Sequence, residues 1–270
     1  MDLQLKDKVA LVSGGASGIG KGIVDCLLQE GCKVAFVDRS NLGAEQQSVA
    51  EAAGLPLLFV QGDLTEEQTC SDAVERTVAT FGRLDIVVNN AGFNDGVCLE
   101  AGPAAFQSSL QKNLLHVYCL THFAAPHLKS VGGCILNIGS KVAITGQGGT
   151  SGYAAAKGGV NALTREWAVE LAPAGVRVNT VLPAETWTPL YEKCLAALPD
   201  PEAAKLEIEQ FIPLQRRLTT IEEIANTAVF LASPLSSHTT GQIIVVDGGY
   251  THLDRKCTSI GSAANFGGAQ

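Results

Sequence analysis

A chain of 270 residues with 46% hydrophobic and 17% charged residues can bury a substantial core, which excludes disorder as its main state. A formal charge of −8, with no cluster of Lys and Arg, argues against nucleic acid or another polyanion as partner. Eight cysteines without one Cys-x-x-Cys pair suggest neither a disulfide framework nor a metal site, and no apolar run nears the roughly 20 residues that span a bilayer. The start, Met1-Asp2-Leu3-Gln4-Leu5-Lys6, lacks the apolar core of a secretory signal, so a cytoplasmic protein with no membrane contact is expected.

The first apolar run, 8–13, has the composition of a strand buried on both faces. It ends in Gly14-Gly15-Ala16-Ser17-Gly18-Ile19-Gly20, ahead of a helical pattern that closes at Gly31. A second run, 33–37, ends on Asp38. Strand, glycine turn, helix, strand and acid is the order of a dinucleotide site, although the spacing of Gly14, Gly18 and Gly20 departs from G-x-G-x-x-G. Glycines let the backbone approach a pyrophosphate, the helix N-terminus offers unpaired amides, and the acid can bond ribose hydroxyls. That acid repels a 2′-phosphate, so NAD is expected in preference to NADP; Arg39 beside it is the one feature that favours the phosphate.

The alternation continues with a strand at 57–60 leading into Gly62-Asp63-Leu64-Thr65, where Thr65 is expected to cap a helix running through Phe81. A strand at 85–88 runs into Asn89-Asn90-Ala91-Gly92, a helix at 105–128 carries Asn113, and a strand at 134–138 leads to Ser140. A helix at 151–171 holds Tyr153 and Lys157, and strands at 177–182 and 242–246 complete the set. This pattern predicts an α/β, doubly wound (Rossmann) fold: a seven-stranded parallel sheet with helices on both faces, three layers deep, as one domain over 1–258. Ligands collect beyond the carboxyl ends of such strands, where Gly14, Asp38, Asp63, Asn90, Ser140 and Pro183 all fall. The Pro-punctuated insertion 184–214 lies at that edge and is expected to be a substrate lid; 259–270 is expected to be a flexible tail.

Tyr153 and Lys157 stand one helical turn apart on one face, so the ammonium can favour a phenolate and lower a pKa that is ordinarily near 10. Ser140 can then hold a substrate oxygen while the tyrosine exchanges a proton with it. His116, His122 and His127 are spaced by six and five residues, do not share a helix face, and are read as satisfied packing or surface histidines.

Together, the motifs at 13–20, Asp63, Asn89-Asn90-Ala91-Gly92, Asn113, Ser140, Tyr153-x-x-x-Lys157, the turn at Pro183 and Asp247-Gly248-Gly249 resemble the short-chain dehydrogenase/reductase family over nearly the whole chain. The resemblance implies that Tyr153 is the general acid/base, that Lys157 lowers its pKa and binds the nicotinamide ribose, and that Ser140 orients the substrate oxygen. It implies that Asn113 holds a helix kink and a water on a proton path. The cofactor would lie along Gly14, Ser17, Gly18, Ile19, Gly20, Asp38 and Arg39, with Asp63 and Leu64 by the adenine and Asn90, Ala91 and Gly92 by the adenosine-side ribose. Pro183 and Thr188 would meet the carboxamide end. A homotetramer is implied as well, with His252 or Arg255 able to reach a neighbouring pocket.

One departure is the Pro183-Ala184-Glu185 turn, where family members usually carry Pro-Gly. With Thr188-Pro189-Leu190-Tyr191, Thr164-Arg165-Glu166-Trp167 and the stretch 246–255, it is similar to the bacterial L-fucose dehydrogenases of this family. Those enzymes oxidise the anomeric hydroxyl of a free aldose to a lactone. Asn94, Lys141, Gln147, Glu185 and Trp187 form a polar set with one flat apolar face that suits a sugar better than a steroid or acyl chain. A carbonyl reductase or hydroxysteroid dehydrogenase is the alternative within the family, and a nucleotide-sensing binding protein is the alternative outside catalysis.

Overall fold

The protein is described here by a computed structural model covering residues 2–254; Arg255 and the expected tail at 259–270 lie outside the described residues. Its strands are β1 (Val9–Ser13), β2 (Lys33–Asp38), β3 (Leu57–Gln61), β4 (Ile86–Asn89), β5 (Cys134–Ile138), β6 (Arg177–Pro183) and β7 (Ile243–Val246). The helices are α1 (Gly18–Gln29), α2 (Leu42–Ala52), α3 (Glu67–Phe81), α4 (Gly102–Leu110), α5 (His116–Val131), α6 (Ser151–Glu170), α7 (Pro189–Ala196), α8 (Pro201–Glu209) and α9 (Ile221–Ala232). All seven strands run parallel in the order β3-β2-β1-β4-β5-β6-β7, as the alternation predicts.

The unbroken apolar runs reflect burial on both faces. In β1, Ala10 and Val12 join a core with α1 and α9, while Val9 and Leu11 point the other way into a core with α3, α5 and α6. From β1 the chain builds outward to β3, then returns to lay β4 on the opposite side of β1. The loops leaving β1 and β4 therefore diverge and open a crevice at the carboxyl edge. A buried polar chain crosses the second half of the sheet: Asn89 donates to Asn137 at 2.9 Å, Asn137 donates to Thr164 at 2.8 Å, and Thr164 meets Thr180 at 2.5 Å. It pins α6 to β4, β5 and β6, so the helix carrying Tyr153 has little freedom to slide.

Some elements differ from expectation. Thr65 does not cap α3, whose N-cap is Glu66; its amide and hydroxyl instead each donate to Asp63 at 2.9 Å, forming a tight turn before the helix begins. Helices α2 and α9 were not foreseen. α2 buries only Gly43 and Ala50, so its apolar periodicity is faint. α9 does have a legible start, a capping box in which Thr220 and Glu223 each satisfy the other's backbone N–H. The helix expected at 105–128 extends from Gly102 to Val131 and is interrupted by a π turn at Gln111–Leu115. Asn113 sits in that turn: its Nδ2 donates to the Ser109 carbonyl at 3.1 Å and its Oδ1 accepts from the Phe93 amide at 2.8 Å. Among the described residues, no helix is long and apolar enough to cross a membrane.

Candidate active site

The crevice forms a trough of about 520 Å³. Its first half is largely main chain. Gly14, Ser17, Gly18, Ile19 and Gly20 border it where α1 begins. Ser17, the N-cap, makes no side-chain capping bond, and the first turn of α1 has no acid, so the leading amides are left for an anion. A Cβ on Gly20 would run into the Gly14 carbonyl oxygen and the Asn90 amide nitrogen, so this approach requires glycine. Asn90 Nδ2 donates to the Ser13 and Gly14 carbonyls at 3.0 Å each, while the Ser13 hydroxyl accepts from the Asn90 and Ala91 amides at 3.0 and 3.1 Å. These bonds lock two distant motifs into one wall; Ser13, which opens the motif at 13–20, has a bridging role that sequence reasoning did not assign.

Asp38 borders the trough, with one carboxylate oxygen accepting from the Ala16 amide and the other from the Ser40 amide, each at 3.0 Å. Each oxygen keeps a lone pair for a ligand hydroxyl. Arg39 directs its guanidinium over the Phe93 ring, 5.9 Å from the centroid. Asp63 and Leu64 lie at the same end, and the two Thr65 bonds hold the Asp63 carboxyl below its ordinary range. Bare helix amides, a glycine-bounded approach and a pinned carboxylate match the pyrophosphate and ribose diol of a dinucleotide.

Farther along the trough, the fold brings together Ser140, Tyr153 and Lys157. Lys157 is buried, donates to the Ile138 carbonyl at 2.8 Å, and holds its ammonium 5.6 Å from the Tyr153 ring centroid. Burial pushes its pKa down to about 8. Gly92, at φ 144°, presses close: a Cβ there would lie 3.0 Å from Asn113 Oδ1 and 3.4 Å from Lys157 Nζ. Asn113 itself stands behind the trough wall, with both ends of its amide engaged. Burial raises the Tyr153 phenol, the Ser140 hydrogen bond opposes this only partly, and the ammonium is turned toward the Ile138 carbonyl.

A short-chain dehydrogenase family model described as Enoyl-(Acyl carrier protein) reductase matches residues 14–251, the span holding every one of these groups except Ser13. The chain is a short-chain dehydrogenase/reductase. L-fucose dehydrogenase of Rattus norvegicus is 37% identical to it, with 93% of each chain covered. The FabG 3-oxoacyl-[acyl-carrier-protein] reductase of Thermotoga maritima is 38% identical over 92% of this chain and 99% of its own. The crystal structure of Cj0485 dehydrogenase superposes with a TM-score of 0.90 at 44% identity, covering 94% of this chain and 98% of that one. The protein is thus an oxidoreductase acting on CH–OH groups with a nicotinamide dinucleotide. The trough residues fit that group, with Pro183 and Thr188 bordering the end beyond Tyr153.

This dehydrogenase builds the wall from segment 184–214 largely from side chains. Lys141, next to Ser140, forms an ion pair with Glu185, and the second Glu185 oxygen accepts from the Tyr191 hydroxyl at 2.7 Å. The Lys141 ammonium also lies 4.4 Å from the Tyr250 ring centroid. Burial raises the Tyr191 phenol to about 12, which keeps it a donor. None of Asn94, Lys141, Gln147, Glu185 and Trp187 borders the trough directly; Phe93, Ala184, Thr186, Leu190 and Tyr191 form the wall in front of them. Asn94 accepts from the Thr150 hydroxyl at 2.7 Å, and Gln147 is exposed on the loop before α6. Trp187 lies under Lys205 of α8, whose ammonium is 4.6 Å from its ring centroid. The Thr188 hydroxyl accepts from the Tyr191 amide at 3.1 Å, capping α7, and can still donate its own proton into the trough.

His116 also borders the trough, and it corrects its sequence reading: it is buried and neither ring nitrogen has a hydrogen-bond partner. Burial first, and the Lys157 ammonium second, push it down to about 4. Thr186 is a second buried polar side chain on the wall whose hydroxyl lacks a partner.

Proposed function

We propose that this dehydrogenase oxidises the anomeric hydroxyl of a free aldose, L-fucose or a related sugar, to the lactone with NAD. The observation that carries the reading is the polar wall in which Thr186 and Tyr191 border the same trough as Ser140, with Tyr191 held by the Glu185–Lys141 pair behind it. A steroid or acyl chain would cover the Tyr191 phenol and the unpartnered Thr186 hydroxyl without matching them, whereas a polyol supplies hydroxyls to pair with both. The name of the rat relative points the same way. Preference for NAD rests on Asp38, whose charge repels a 2′-phosphate, while Arg39 is engaged over Phe93.

When bound, the dinucleotide accepts the hydride from C1. The rest falls to the chain. Ser140 donates a hydrogen bond to the C1 oxygen, and Tyr153 removes its proton as the C1=O bond forms. Lys157, fixed by the Ile138 carbonyl, holds positive charge near the ionised phenol, and Asn113 keeps the π turn and the Phe93 loop in register behind it. Segment 184–214 acts as a lid through Tyr191 and Trp187. A homotetramer belongs to the same reading, supported by Leu115 and Tyr118 exposed on the α4–α5 face, and so does a cytoplasmic location, supported by seven free cysteines among the described residues. The test is side-by-side turnover of L-fucose, D-arabinose, L-galactose and estradiol with NAD and with NADP. Sugar oxidation with NAD is expected; steroid turnover without sugar turnover overturns the substrate reading.

A further inference from the structure

The Mechanism just described makes no use of His116. The residue opens α5, one turn after Lys112 and immediately beyond the π turn. It is 2% exposed, yet that remaining surface belongs to the trough wall. A buried imidazole ordinarily finds a partner for each nitrogen, because leaving a polar group unpaired costs about 1–3 kcal/mol. Here neither nitrogen has a full hydrogen bond; the Lys112 carbonyl interacts with the ring and offsets its burial only partly. The start of the π turn is held against the β3 loop, where Gln111 Nε2 donates to the Thr65 carbonyl at 3.3 Å, and Asp63 is within electrostatic reach of the ring. This places His116 on the trough wall between the Asp63–Leu64 turn, reached through Gln111, and the Lys157 ammonium.

We infer that His116 is a dinucleotide-binding residue: its imidazole hydrogen-bonds the adenosine half of the cofactor, which supplies the partner that the protein withholds. The inference rests on the dinucleotide reading of the trough. It explains why a costly orphan is kept in the trough wall. It also separates two quantities that a packing histidine would couple, since an apolar residue of similar volume removes the orphan and the ligand bond together.

The experiment titrates wild type, His116→Leu and His116→Gln with NAD and with ADP-ribose by calorimetry, and records the melting temperature of each protein without nucleotide. His116→Leu is expected to raise Kd for both ligands by about tenfold, the size of one hydrogen bond, while its nucleotide-free melting temperature equals or exceeds that of wild type. His116→Gln, which keeps a donor and an acceptor, is expected to hold Kd within about threefold of wild type. Unchanged affinity in His116→Leu overturns the inference, and so does a lowered melting temperature in both variants with unaltered Kd, which would mark a structural residue. Weakened NAD binding with unaltered ADP-ribose binding overturns the placement on the adenosine half. Failure of the wild type to bind either nucleotide would instead overturn the dinucleotide reading itself.

Discussion

At the β1–β4 end of the trough, the wall is main chain fixed by two side chains: the Ser13 hydroxyl holds the Asn90 and Ala91 amides, the Asn90 side chain holds the Gly14 carbonyl, and Gly20 leaves no room for a Cβ. At the end formed by segment 184–214, one carboxylate and one ammonium gather side chains from three separate segments: Lys141, Glu185 with Tyr191, and Tyr250. The first construction suits a ligand that never changes, because few single side chains can be altered without moving backbone. The second can be retuned one side chain at a time.

The largest effect that would probe this contrast belongs to the reacting centre between the two ends. Tyr153→Phe should lower kcat by about 10²–10⁴ or more while leaving the Kd for NAD within about threefold, as read by steady-state kinetics and calorimetry. Turnover at the wild-type rate would remove Tyr153 from its role. Next comes Lys157, whose folded pKa of about 8 lies below an unfolded value near 10.4. Between those values the unfolded chain binds the extra proton, so the stability contribution of this group rises as pH climbs from about 8 to about 10.4 and is least favourable below pH 8. Denaturation of wild type and Lys157→Met across that window should show the gap between them shift in favour of wild type by about 3 kcal/mol. A pH-independent gap would mean that the lysine is not held in a desolvated site.

Gly20→Ala tests the main-chain end. It should cost about 1–3 kcal/mol of stability by overpacking and raise the NAD Kd more than about tenfold, both measurable on the same sample. Glu185→Gln tests the lid end and should act selectively, raising the KM for the sugar by about tenfold with the NAD Kd unchanged. Equal loss of affinity for sugar and nucleotide would erase the distinction between the ends. The smallest change is expected from Thr220→Ala, which removes the cap of α9 and should lower stability by about 1 kcal/mol with both binding constants intact.

The legibility of the site follows the same division. The residues assigned to the cofactor from sequence, from Gly14 through Thr188, all border the trough, whereas the five assigned to the substrate stand one layer behind it. The first set comes from local patterns, each a few residues long and each at the end of an apolar run. The second depends on which way a lid folds over a sheet edge, and no local pattern encodes that. Helix α9 shows the intermediate case: its capping box is local, but it lies in a stretch where the lid interrupts the alternation of strands and helices. Thr65 shows the converse, a residue with cap chemistry whose bonds go to Asp63 instead.

By itself the sequence determined the parallel sheet and the edge at which its ligands gather, because buried runs alternating with helices admit few other topologies and place every strand's carboxyl end on one side. It also determined that Ser140, Tyr153 and Lys157 would meet there. The tertiary structure alone decided that Glu185 pairs with Lys141 and Tyr191, that Arg39 lies over Phe93, that burial raises the Tyr153 phenol, and that His116 is left without a full hydrogen bond. Such pairings depend on the directions of side chains from segments far apart in the chain, and on how much water the finished packing leaves around each charge.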